Sequence, residues 1–164
     1  MKICIIYYSR TGNTRSIAKL LEKQLSDKNA DVDLLEVKAV KNPGFFKACI
    51  SAIKERELPI KNTKYDLKKF DTILFGCPVW AGSPSPYIKS FLEKAQNSKG
   101  KNAGIFVTCR RETIKQSKAG IMVKNELKKH DMKPINELLA LKMKKEKIVD
   151  GEQNIDSFIK TVMK

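Results

Sequence analysis

An apolar run, Ile3-Cys4-Ile5-Ile6-Tyr7-Tyr8, ends in Ser9-Arg10-Thr11-Gly12-Asn13-Thr14, and beyond it apolar residues recur at Ile17, Leu20, Leu21 and Leu25. The run reads as a buried strand and the recurrence as one face of a helix, so the six residues between them form a strand-to-helix turn. The first turn of a helix presents unpaired N–H groups and the positive end of the helix dipole. A tight turn carrying the hydroxyls of Ser9, Thr11 and Thr14 at that point is suited to hold a phosphate. A Ser/Thr-rich capping turn without a ligand is the plain alternative. Two familiar phosphate motifs are excluded by spacing. Gly12 stands alone, with no Gly-x-Gly-x-x-Gly, and no Gly-Lys-Ser/Thr follows it.

Strand-like and helix-like segments alternate along the rest of the chain, the pattern of a parallel sheet covered by helices on both faces. Strands are predicted over Lys2 to Tyr8, Val32 to Lys38, Asp71 to Cys77, Ala103 to Cys109 and Ile135 to Met143. Their near-continuous apolar character fits strands buried on both sides. Helical stripes are predicted at Phe46, Cys49, Ile50 and Ile53; at Ile88, Phe91, Leu92 and Ala95; at Ala119, Met122, Val123 and Leu127; and at Ile155, Phe158, Ile159 and Val162. Ser85-Pro86 reads as a capping residue and a first helical proline, whereas Pro59 and Pro134 mark helices already ended.

The chain has 164 residues, 41% of them hydrophobic, enough for one domain over residues 1–164 with its own core. No stretch reaches the ~18 apolar residues of a membrane span, and Met1-Lys2 leads directly into a strand, so a soluble cytoplasmic protein is expected. Cys4, Cys49, Cys77 and Cys109 are too scattered for a zinc or dithiol motif, and no metal site is expected. The first three read as small hydrophobes. Cys109 adjoins Arg110 and Arg111, which would activate an exposed thiol, but an inert packing role is preferred. His130, the sole histidine, reads as a solvated helix end, and Glu55 and Glu57 as surface charges. No residue is assigned a catalytic role.

The formal net charge is +15, spread as +7 over residues 1–98 and +8 over residues 99–164. Such a spread attracts anionic partners and surfaces rather than forming a nucleic-acid arm. The lysine-dense segment Lys142 to Lys147 lacks interleaved aromatics and reads as a solvated strand end, so no dedicated nucleic-acid site is expected.

After the third strand comes Cys77-Pro78-Val79-Trp80-Ala81-Gly82-Ser83-Pro84-Ser85-Pro86, read as a proline-stiffened loop bearing the only tryptophan. Gly82 permits a turn or a close approach to a flat ligand, and Trp80 offers a π-face. The alternative is a rigid loop whose tryptophan caps the core.

These two segments carry a resemblance. Ser9-Arg10-Thr11-Gly12-Asn13-Thr14 resembles the Ser/Thr-x-Thr-Gly-x-Thr phosphate loop of the flavodoxin family, and Pro78 to Pro86 resembles that family's Pro-x-Trp-x-Gly-x-x-x-Pro loop. Gly44-Phe45-Phe46 is similar to a helix start that many members carry. The resemblance implies a doubly wound five-stranded parallel α/β sheet of order 2-1-3-4-5, with ligand loops after strands 1, 3 and 4. It also implies FMN: Ser9, Arg10, Thr11, Gly12, Asn13 and Thr14 around the phosphate, and Pro78, Val79, Trp80, Ala81 and Gly82 along the ring. The third loop, Thr108-Cys109-Arg110-Arg111-Glu112, stands where many flavodoxins place a second aromatic residue, and it contains none.

Electron-carrier flavodoxins are typically acidic, and this chain is basic. Arg10, Arg15, Arg110 or Arg111 near the flavin would favour its anionic reduced form, if solvent does not screen them. Three functions follow in order: an electron carrier docking on acidic surfaces of redox partner proteins, an FMN-dependent NAD(P)H reductase with a quinone-type acceptor, and a non-redox binding module.

Overall fold

The computed structural model describes residues 1–41, 44, 49–51, 54, 57–62, 65–110 and 118–164. Six strands form the main sheet: β1 (Lys2–Tyr7), β2 (Asp31–Glu36), β3 (Thr72–Trp80), β4 (Asn102–Cys109), β5 (Lys133–Lys144) and β6 (Lys147–Asp150). They lie side by side in the order β2-β1-β3-β4-β5-β6, and the two-residue strand Ser83–Pro84 pairs with the end of β3 as the seventh member. The first five are mutually parallel, in the order expected. The sequence reading missed β6, which runs antiparallel to β5. A separate pair, Tyr65–Asp66 with Ala95–Gln96, lies outside this sheet.

Side chains alternate across the strands and so build two cores. Ile3, Ile5, Leu74, Phe106, Leu139 and Leu141 pack under α1 (Asn13–Ser26) and α4 (Ile155–Val162). On the other face, Cys4, Ile6, Ile73, Phe75, Ile105 and Val107 pack under α2 (Tyr87–Leu92) and α3 (Lys118–Lys129). The sheet is therefore covered on both sides, as parallel strands require. Close packing leaves no room for a side chain at Gly76, where a Cβ would overlap the Phe106 ring.

Several expected boundaries move. The third strand runs on to Trp80 instead of stopping at Cys77. Its Pro78 is tolerated because β1 has already ended on that side, so no partner there requires an N–H. Pro86 itself is the N-cap of α2, and no side-chain hydrogen bond caps that helix, contrary to the role expected of Ser85. Ala95 lies in the short strand pair instead of on the helix. Ile50 is 50% exposed although its spacing predicts burial. Phe46, Ile53 and Glu55, with the Phe45-Phe46 part of the expected helix start, lie outside the described residues. No helix among the described residues is long and apolar enough to cross a membrane.

Candidate functional site

β1, β3 and β4 deliver their C-terminal ends to one edge of the sheet, where Tyr8 N–H donates to the Gly76 carbonyl at 3.0 Å and Pro78 stands opposite Thr108. From this edge the first turn rises into α1. Gly12 is the N-cap at φ +88°, a left-handed conformation that suits glycine, and no side chain caps the helix. The first turn of α1 also holds no acidic residue. Ser9 Oγ is buried without a hydrogen-bond partner. A capless helix start beside an orphaned hydroxyl is a turn whose donors await an external acceptor.

The first loop meets both the second loop and the end of β4, where the third loop begins. Thr14 Oγ1 and Thr108 Oγ1 lie 2.8 Å apart in a buried hydrogen bond that ties the first loop to the third. The first loop meets the second through Tyr8 and Trp80, whose rings are 5.8 Å apart and edge-on, and through Arg10, whose guanidinium carbon is 6.0 Å from the Trp80 ring centroid. Tyr87 completes this cluster, 4.0 Å from the Tyr8 ring. Burial raises the pKa of both tyrosines. Each therefore keeps its hydroxyl proton well into the alkaline range.

The second loop is a tight hairpin. Val79 pairs with Pro84 and Trp80 with Ser83, leaving Ala81 and Gly82 as the two turn residues at φ +49° and +78°. Two consecutive positive φ values define the turn geometry that matches strand twist, and Ala81 adopts it at a conformational cost. Trp80 is thus the last residue of a strand, only 8% exposed, and not a loop residue offering a free face. Its ring joins the core cluster, the alternative weighed from sequence.

Other expected residues take different positions. Arg15 pairs with Glu36 at 2.6 Å, so its charge is neutralised locally. Cys109 is buried and its thiol donates to the Leu141 carbonyl at 3.7 Å, consistent with the inert role. Arg110 is exposed at the end of β4, and Arg111 and Glu112 lie outside the described residues. His130 is not simply solvated: its side chain is largely buried, with Nε2 3.6 Å from Glu93 Oε1 and 3.8 Å from Glu126 Oε1.

Sequence reasoning missed Tyr8 and Tyr87 as site-lining aromatics, and it missed Glu146. The segment Lys142 to Lys147 is the solvated strand end expected, with Lys144 to Lys147 all exposed, but it also makes a contact the sequence did not signal. It is the β5–β6 hairpin, with Lys145 and Glu146 at φ +49° and +63°. It folds back so that the Glu146 N–H donates to Asn13 Oδ1 at 2.8 Å. No local signal marks it, since neither turn residue is a glycine or asparagine.

Parallel strands in this order, with the first and second loops meeting beside the end of β4 and a capless helix start, define a flavodoxin-like fold. The family profile described as NADPH-dependent FMN reductase matches residues 1–144. The chain belongs to that family, which places it among flavin-dependent redox proteins and assigns FMN as its cofactor. The residues present fit that group: Ser9 Oγ is an orphaned buried oxygen, and Gly12 opens α1 without a competing side-chain cap.

The chain is similar to the minor allergen Alt a 7 of Alternaria alternata, with 28% identity covering 65% of this chain and 55% of that protein. It is also similar to the NAD(P)H quinone oxidoreductase YCP4 of Candida albicans, with 29% identity covering 66% and 39%. The chain thus spans about half the length, or less, of these curated relatives. A flavoprotein from Lactobacillus acidophilus, crystallised with FMN, has the same fold at a TM-score of 0.64 and 23% identity, covering 96% of this chain and 97% of that one.

Proposed function

We propose that this protein is an FMN-dependent oxidoreductase that takes hydride from NADPH or NADH and delivers two electrons and a proton to a quinone-type acceptor. One observation carries the choice between enzyme and carrier. From Thr108 to Ser117 the third loop contains no aromatic side chain, so nothing of that kind in it covers the outer flavin face. A nicotinamide and a flat acceptor can then use that face in turn. The family and the quinone oxidoreductase among the relatives support the same reading.

The chain's own residues bind and orient. The α1 N-terminus and Ser9 receive the phosphate, with Thr11 beside them. The Thr14–Thr108 bond holds that turn against β4. The Ala81-Gly82 turn borders the ring system with backbone, and the Tyr8, Trp80 and Tyr87 cluster makes a rigid apolar wall behind it. Bound FMN supplies the two-electron relay between nicotinamide and acceptor.

An electron carrier for acidic protein partners is the second reading, favoured by the +15 net charge. Steady-state oxidation of NADPH and NADH by the FMN-loaded protein, with soluble quinones as acceptors, separates the two. Turnover is expected. Absence of turnover, with electron delivery only to a protein partner, would transfer the assignment to the carrier.

A further inference from the structure

Glu146 reaches the phosphate turn from the opposite end of the sequence. Its carboxylate packs on Gly12, with Cδ 2.6 Å from where a Gly12 Cβ would stand, while its backbone N–H holds Asn13 Oδ1 at 2.8 Å. The left-handed Lys145-Glu146 turn aims both groups at the opening of α1. That helix has neither a side-chain cap nor an acidic residue in its first turn. An anion at its start is therefore lent by a hairpin more than a hundred residues away.

We propose that Glu146 is the resident anion of the phosphate turn and a specificity-determining residue: its carboxylate opposes an incoming phosphate and lowers the preference for FMN over unphosphorylated riboflavin. This deepens the FMN reading and rests on it. Without ligand, the carboxylate complements the positive end of the α1 dipole. A phosphate arriving at the same helix end carries up to two negative charges, and like charges a few ångströms apart repel even in water. Glu146 is exposed, so solvent and salt weaken the effect. The lysines flanking it, Lys144, Lys145 and Lys147, are exposed as well and weaken it further. The net effect is about a fivefold loss of FMN affinity in low salt.

The test is flavin titration, followed by the quenching of flavin emission, of the wild type, Glu146→Gln and the control Glu152→Gln, each with FMN and with riboflavin in low and high salt. Glu146→Gln keeps the backbone bond to Asn13 and removes only the charge. It is expected to tighten FMN about fivefold in low salt, leave riboflavin unchanged, and lose its advantage as salt shortens the screening length. Glu152→Gln is expected to change neither ligand. Unchanged or weaker FMN binding by Glu146→Gln overturns the proposal, as does equal tightening of FMN and riboflavin or the same gain from Glu152→Gln. A wild type that binds neither flavin removes the FMN site itself. One that binds FMN but oxidises no NADPH removes only the reductase reading.

Discussion

Replacing Thr14 by valine tests the joint between the first and third loops. Thr14 is 1% exposed and Thr108 3% exposed, and their hydroxyls share the 2.8 Å bond. Thr14→Val preserves shape and deletes one hydroxyl, leaving the Thr108 hydroxyl buried without a partner. Such an orphan costs about 1–3 kcal/mol, more than the roughly 1 kcal/mol net value of the bond, because the remaining group cannot recover its water. Thr108→Val alone costs a similar amount. The double valine variant removes both polar groups and lies near the wild type, so the two losses do not add. A double-mutant cycle by urea denaturation is expected to give a coupling equal to the sum of the two single losses, about 2–6 kcal/mol, and each single variant a Tm lower by about 2–10 °C for a chain of this size. Additive losses, with a coupling below about 0.5 kcal/mol, would refute a direct bond between the loops. FMN affinity supplies a second readout: if the bond preorganises the turn, both single variants weaken FMN together.

Thr11→Ala is expected to weaken FMN about tenfold while leaving riboflavin nearly unchanged, because only FMN carries the phosphate; equal losses in parallel titrations would count against the turn assignment. Ala81→Gly relieves the left-handed backbone at φ +49° and is expected to stabilise the protein by up to about 1 kcal/mol in urea, whereas a loss of stability would mean that the turn is not left-handed there. Gly76→Ala forces a methyl group into the Phe106 ring and is expected to cost about 1–3 kcal/mol. Burial pushes the Cys4 and Cys77 thiols from the ordinary 9.0 up to about 12. A value raised in the folded state contributes stability that is complete below about pH 9 and lost as pH rises toward 12, since only the unfolded chain ionises in that window. Urea midpoints should therefore fall above about pH 9, and less steeply in a Cys4→Ala/Cys77→Ala variant, while a pH-independent midpoint would contradict thiol burial.

Much of this architecture was legible in local pattern. Continuous apolar runs at Ile3–Tyr8 and Ala103–Cys109 mark strands enclosed on both faces, and the periods at Ile17–Leu25 and Ile155–Val162 mark the helices that enclose them. The turn at Ser9–Thr14 was legible too, because its hydroxyls and glycine are contiguous. The end of β3 was not. Prolines at 78, 84 and 86 read as loop, but Pro78 lies beyond the reach of β1, and the strand continues into a hairpin. Ile50 followed its helical period and still faces solvent, since periodicity reports a face without saying what covers it.

Alternation of apolar and turn-forming residues thus determined by itself an α/β sheet with a phosphate-seeking helix start, since each signal acts over a few neighbouring residues. Tertiary structure alone decided that Thr14 bonds Thr108, that Trp80 is walled in by Tyr8 and Tyr87, and that Glu146 rests on Gly12. Those contacts join residues 72, 94 and 134 positions apart, or 7 apart across a hairpin. Their partners are set by strand order and register, which no local propensity encodes.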